Sequence, residues 1–215
     1  MSQPKRGAPD RTAGERERRG QILLALARES VTRALADRSG GEESLEEPAG
    51  AGARGRETDA TAPWLEEPGA TFITLMKGEE LRGCVGTLTA HRPLREDVQD
   101  NARAAAFHDN RFPPLRPEEL PEIRFEVSLL TPPVPLPRCA TEAEAIARLR
   151  PGQDGVVLDL QGHRATYLPQ VWEQIPDPKT FLAHLKHKAG LPKDFWSPEM
   201  RLSVYGVEKW KEGEP

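Results

Sequence analysis

Cysteine is the most nucleophilic residue type in this sequence and occurs twice, at Cys84 and Cys139. Cys84 stands in the run Leu81-Arg82-Gly83-Cys84-Val85-Gly86-Thr87-Leu88, where two glycines interrupt an otherwise strand-like pattern. A reactive thiol needs room for its target and a positive charge nearby. Gly83 and Gly86 supply the room. Arg82 supplies the charge if the strand is regular, because residues two apart share a face. The alternative is a small buried cysteine in a bulged strand, since free cysteine is among the most buried residue types. His91 and His108 flank the helix expected after this strand, so either is a candidate base for a nucleophile–base pair, with Asp109 to orient it. Asp109 and Arg111 form a polar corner ahead of the stiff Phe112-Pro113-Pro114 segment. That corner is read either as a clamp for an anion or carboxylate, or as an ion pair that stitches the turn. Arg164 and Thr166 share one face of a later strand and are candidates to line a pocket. His184 and His187 lie one helical turn apart, spacing that suits a metal or simply a solvated helix face. No third ligand is evident, and no HExxH, paired CxxC or phosphate-cradling glycine loop occurs, so no metal site is assigned and no cofactor is named.

Positioning these residues requires a set of alternating elements. An apolar stripe of Ile22, Leu23, Leu26, Ala27, Val31, Ala34 and Leu35 predicts a helix over 13–36, with Thr12 and Glu15 at capping-box spacing. Alternating β-rich residues predict strands at 70–77, 81–88 and 123–130. Pro93 opens a helix whose buried side carries Leu94, Val98, Ala102 and Ala105. The prolines at 113–114 force an extended chain from Arg111. Thr141 and Glu144 cap a short helix to about Arg150. Gln161-Gly162 joins strands 155–160 and 163–168 as a two-residue hairpin. Asp177-Pro178 starts a helix carrying Phe181, Leu182 and Leu185, Gly190 suits its end, and 201–207 is a last strand. Helices mixed with hairpins, without a βαβ rhythm, give an α+β fold with a mostly antiparallel sheet flanked by helices.

Composition narrows the function classes. The 215 residues carry 30 Lys+Arg against 34 Asp+Glu, a net charge of −4. A mildly acidic chain disfavours nucleic acid as a partner, since phosphate binding needs a net basic face. No stretch approaches the roughly 18 apolar residues of a membrane helix, and the first residues lack an apolar secretory run. Two cysteines make no disulfide framework, so a reducing, cytoplasmic setting is expected. Residues 1–11 read as a disordered terminus, 12–211 as one domain and 212–215 as a tail. Within the domain, 37–63 reads as an inserted flexible loop rich in Gly, Ala and Glu. From Gly41 to Pro68 there are eight acidic and two basic residues, a local charge of −6. Such a tract buries too little apolar surface to offset its ordering entropy.

Several of these segments, in this order, resemble the AMMECR domain family, known in microbes as component A of the Amme-Memo-RadicalSAM system. Leu81-Arg82-Gly83-Cys84-Val85-Gly86 matches its Leu-Arg-Gly-Cys-Ile-Gly signature, with Val85 in place of isoleucine. Ala105-Ala106-Phe107, then Asp109, Arg111, Phe112, Pro113 and Pro114, matches a second signature, with Asn110 where the family usually has proline. Glu126–Pro132 looks like its next strand. Arg164-Ala165-Thr166-Tyr167-Leu168-Pro169-Gln170-Val171-Trp172 and Lys188-Ala189-Gly190-Leu191 resemble the C-terminal signature of bacterial members. The resemblance covers roughly 19–35 and 64–211. It implies a larger and a smaller lobe with the cysteine motif near a cleft between them, and Memo-like and radical SAM proteins as partners. In that pattern position 108 is not a fixed histidine, so a Cys84–His108 dyad would be peculiar to this chain. The resemblance brings no established activity.

Two functional expectations follow. In the first, the chain is an enzyme or enzyme-system subunit, with Cys84 as nucleophile or redox thiol. Arg82, Gly83, Gly86, Asp109, Arg111, Arg164 and Thr166 then bind a small polar or anionic ligand. In the second, the chain is a non-catalytic adaptor that docks a partner through the same cleft or the acidic loop.

Overall fold

A computed structural model describes residues 13–38 and 62–213 of the chain. They form two compact units, one running to Leu129 and resuming at Glu208, the other Leu130–Val207. Thr12 of the expected capping box, the 1–11 terminus and most of the 37–63 tract lie outside the described residues. At the edges of that tract, Asp37 and Arg38 are helical and Pro63–Leu65 forms a 3-10 turn.

The first unit begins with helix α1, Ala13–Arg38. Its helical-period stripe buries Leu23, Leu26, Ala27, Val31 and Leu35. A two-stranded ladder pairs β1, Pro68–Gly69, with β4, Arg92–Pro93. Strands β2, Thr71–Lys77, and β3, Glu80–Gly86, form an antiparallel hairpin around Gly78, whose φ of +58° suits glycine. Helix α2, Leu94–Phe107, starts directly after Pro93 and buries the expected Leu94, Val98, Ala102 and Ala105. Strand β5, Ile123–Leu130, lies antiparallel to β2, and β10, Val207–Lys211, borders β5. The sheet order is β10–β5–β2–β3, which leaves β3 at an edge. One face of this sheet packs on the helices: Ile73, Leu75, Phe125 and Val127 share a core with Leu23, Val31, Val98 and Ala102. Glu212, at the expected start of a loose tail, is bonded into the unit. Its carboxylate accepts from Arg28 at 2.6 and 2.7 Å and from the Phe125 N–H at 2.8 Å.

The second unit holds another four-stranded sheet, ordered β6–β9–β7–β8: β6 is Val134–Pro135, β7 Gly155–Leu160, β8 His163–Tyr167 and β9 Arg201–Tyr205. The β7–β8 turn has positive φ at both Gln161 (49°) and Gly162 (91°), the geometry that two-residue hairpins favour. Helix α3, Glu142–Ile146, is capped by Thr141, whose hydroxyl accepts the Glu144 N–H. It ends short of the expected Arg150, because the Asp154 carboxylate takes the Arg150 N–H and guanidinium and turns the chain. After α4, Val171–Gln174, helix α5, Pro178–Lys188, opens on its Asp177 cap and stops before Gly190 at φ +80°. Trp172 stacks on Phe181 with centroids 3.7 Å apart. The single last strand expected at 201–207 is in fact two, β9 and β10, in different sheets. Gly206 breaks the run where its N–H donates to Thr131 Oγ1 and its carbonyl accepts the Thr131 N–H. Among the described residues no helix is long and apolar enough to cross a membrane.

Lys186 of α5 reads as a surface residue but is fully buried. Its ammonium pairs with the Glu142 carboxylate at 2.7 Å. Removing the partner leaves an uncompensated buried charge, whereas replacing the lysine with an apolar side chain does not. Glu142→Ala is therefore expected to destabilise the protein by about 3–5 kcal/mol and Lys186→Met by clearly less. Urea unfolding of the two variants at neutral pH checks the order.

Candidate functional site

Cys84 is partly buried within β3, opposite Thr74 of β2. The Thr74 hydroxyl donates to its sulfur at 3.4 Å. The Cys84 N–H and carbonyl point off the open edge of the sheet. The N–H donates to Asp109 Oδ2 at 2.8 Å, and the carbonyl accepts from Arg111 Nη2 at 3.3 Å. Asp109 and Arg111 are joined by guanidinium bonds of 2.9 and 2.7 Å. One side-chain pair thus occupies the position a further strand would take. The pairing fits an antiparallel ladder, where residues with outward-pointing amides have their side chains closest across the strands. The hydrogen bond from Arg111 holds the Asp109 carboxyl far below the usual carboxylate range; burial opposes this, and the Cys84 and Arg111 N–H groups add to it.

Both glycines of the motif are dictated by close approach. A Cβ on Gly83 would lie 2.2 Å from the Ala105 carbonyl oxygen, so β3 crosses α2 with no room for a side chain. A Cβ on Gly86 would lie 2.3 Å from the Phe72 ring, which covers that end of the strand beside Cys84. The glycines therefore set how closely helix and aromatic ring pack, and the space they leave is filled.

Arg82 does not alternate regularly with Cys84. The register slips between Leu75 and Met76, whose partners are Gly83 and Leu81, so Arg82 falls in a bulge. Its guanidinium forms a two-pronged pair with Glu119, at 3.0 and 3.1 Å. His91 sits on the Thr89 carbonyl through Nδ1, and the His108 side chain is exposed at the end of α2. Neither bonds the Cys84 sulfur. The structure thus brings Cys84, Gly83, Gly86, Asp109 and Arg111 together, and commits Arg82 to Glu119. Arg164 and Thr166 are in the second unit: Arg164 is exposed on β8, and Thr166 Oγ1 lies 3.0 Å from Tyr205 Oη. Among the described residues no group of three or more His, Cys, Asp or Glu side chains is placed to hold a metal. A groove of about 320 Å³ between Leu35, Arg38 and residues 113–117 is lined by none of the sequence-predicted site residues.

A buried network behind the motif had no sequence signal, because its members look like an ordinary polar helix face. Asp97 and Asn101 of α2 are buried. The Thr71 N–H and hydroxyl both donate to Asp97 Oδ2 at 2.7 Å. The Asn101 amide donates to the Thr71 carbonyl at 3.0 Å and to Thr87 Oγ1 at 3.1 Å. Arg92 closes the cluster on Asp97 at 3.0 Å and Asp100 at 2.5 Å. These bonds fix where β3 ends and α2 begins, and so hold the cysteine strand against the helix.

The AMMECR1 family profile matches residues 24–210 of the chain. A Methanopyrus kandleri protein, MK0488, is 34% identical over 205 residues, covering 91% of this chain and 89% of that one. A Methanothermobacter thermautotrophicus protein is 42% identical over 143 residues, 66% of this chain and 74% of its own. The crystal structure of an uncharacterized Pyrococcus horikoshii protein, PH0010, superposes with a TM-score of 0.68 at 30% identity, covering 91% of this chain and 92% of that one.

Two predictions test this geometry. Gly83→Ala forces β3 away from the α2 backbone and is expected to cost about 1–3 kcal/mol, read as a fall in Tm. For Asp109 the folded value lies below the unfolded value of 3.8, so its contribution is complete above pH 3.8 and is lost as pH falls further. Asp109→Asn is expected to cost about 1–3 kcal/mol at pH 7, with a gap from wild type that narrows below about pH 4. Denaturant unfolding of both proteins across pH 3–7 measures that gap.

Proposed function

Since the chain belongs to the AMMECR1 family, we propose that it is one component of a small-molecule or protein modification system whose substrate or partner meets the Cys84 segment. The partners in this reading are Memo-like and radical SAM proteins, and its setting is the cytoplasm, in keeping with two free thiols. The observation that carries it is a partly buried cysteine on a strand edge, with its backbone held by Asp109 and Arg111 and its sulfur by Thr74. Among the described residues the sulfur's hydrogen-bond partner is the Thr74 hydroxyl, and no histidine or carboxylate side chain stands beside it as the base of a self-contained cysteine hydrolase would. A partly buried thiol with no such base among the described residues suits a site that a partner or bound substrate completes. The reading uses residues of the first unit alone.

A second reading, the non-catalytic adaptor, is favoured by the internal pairing of Arg82 with Glu119 and of Arg111 with Asp109. Under it the same edge is a docking surface and the thiol is incidental. Cys84→Ser separates the two: partner binding survives under the adaptor reading, and turnover in the assembled system is lost under the first. The direct test is differential alkylation of the folded protein with iodoacetamide. Cys84 is expected to be labelled in the native state, and Cys139, only 5% exposed, only after unfolding. Equal protection of the two thiols overturns the role given to Cys84.

A further inference from the structure

The face of the first sheet turned away from the helices carries a row of chemistry that the sequence did not single out. Cys84 pairs in register with Thr74, and Thr74 with Glu126, so the three side chains sit side by side across β3, β2 and β5. Beyond them, Lys209 and Lys211 of β10 both form ion pairs with Glu126, Lys211 at 3.1 Å. The intervening residues point the other way: Glu208 pairs with Arg16 of α1, and Trp210 packs on Gly20 of α1. Glu126 is buried, with 6% of its side chain exposed, while the lysines are 40% and 58% exposed. Burial pushes the Glu126 carboxyl up, but the two ammonium groups outweigh it and hold it below its ordinary value.

Charge matching separates this group from the rest of the surroundings. Arg82 is balanced by Glu119 and Arg111 by Asp109, while Arg124 lies beside Glu79. Among the described residues these two lysines share one carboxylate, which leaves one positive charge over. Two strand spacings separate Cys84 from Glu126, about 10 Å. A small molecule spans that distance.

We infer that Lys209 and Lys211, held in place by Glu126, form an anion-binding subsite for a small molecule whose other end lies at Cys84. The ligand class is a molecule carrying a phosphate or carboxylate. The inference rests on Cys84 being the site and moves recognition of the anion from the arginines of the cysteine motif to the last strand. Glu126 is a positioning residue, because it acts through the two ammonium groups.

The experiment uses the full chain and thiosulfonate reagents of like size bearing a negative, neutral or positive group. Each rate at Cys84 is divided by that of a free thiol. At low ionic strength the anionic reagent is expected to be favoured over the cationic one by about 3–10-fold, with the preference fading as salt is added. Lys211→Gln is expected to remove most of the preference and Glu126→Gln to raise it. Inorganic pyrophosphate or succinate then slows labelling by the neutral reagent in wild type but not in Lys211→Gln; which of them protects tells phosphate from carboxylate. Labelling without charge preference, a preference that Lys211→Gln leaves unchanged, or protection by neither anion overturns the subsite and leaves the Cys84 reading standing. No labelling by any reagent overturns both. The salt dependence is read on the wild-type protein, so the result does not hang on a variant that folds poorly.

Discussion

One carboxylate holds the candidate site together. Asp109 accepts the Cys84 N–H from the sheet edge, the Arg111 N–H from its own turn and two bonds from the Arg111 guanidinium. It therefore ties β3, the end of α2 and the stiff proline segment at one point. An edge strand leaves N–H and C=O groups open to pairing with any other chain. Here the most central of those groups, on the residue that bears the thiol, are closed by a side-chain pair rather than by backbone. A side-chain pair closes that edge without bringing the row of neighbouring side chains that a covering strand would add.

The motif glycines serve the same arrangement. At Gly83 the strand passes over the Ala105 carbonyl of α2, and at Gly86 the Phe72 ring lies where a Cβ would be. The Asp97–Asn101 network, with Thr71, Thr87 and Arg92, then fixes the chain between strand and helix through bonds that are almost all internal. Buried polar groups are tolerable only when satisfied, and a satisfied network specifies one geometry. The thiol is thus positioned by steric contact from below, by charge from the edge and by hydrogen bonds at the strand's end.

Local chemistry made much of the fold legible. Gln161-Gly162 carried the hairpin through its need for positive φ, Asp177-Pro178 the helix start, and the spacing from Leu23 to Leu35 the first helix. What stayed hidden depends on partners distant in sequence. The bulge at Arg82 follows from register with β2, and only that register shows that the guanidinium goes to Glu119. Residues 201–207 read as one strand because nothing local says that Gly206 meets Thr131 and sends the chain to another sheet. Nothing local marks Lys186 as buried, because its partner, Glu142, lies 44 residues away. The Asp109–Arg111 pair was legible as a local stitch, but its reach to the Cys84 backbone was not.

The row from Cys84 to Glu126 shows the same limit at the level of chemistry. Alternation in 123–130 puts Glu126 on the face opposite Phe125 and Val127, yet alternation alone does not tell which strands lie beside it. Once β2 is known to sit between β3 and β5, Thr74 becomes the common neighbour of the thiol and the carboxylate. Once β10 is known to border β5, the chain's last lysines become part of the same surface. An arginine two residues from a cysteine is a natural first choice for binding an anion, but here it has a carboxylate of its own. The unmatched positive charge is supplied more than a hundred residues later, and only the sheet order brings it there.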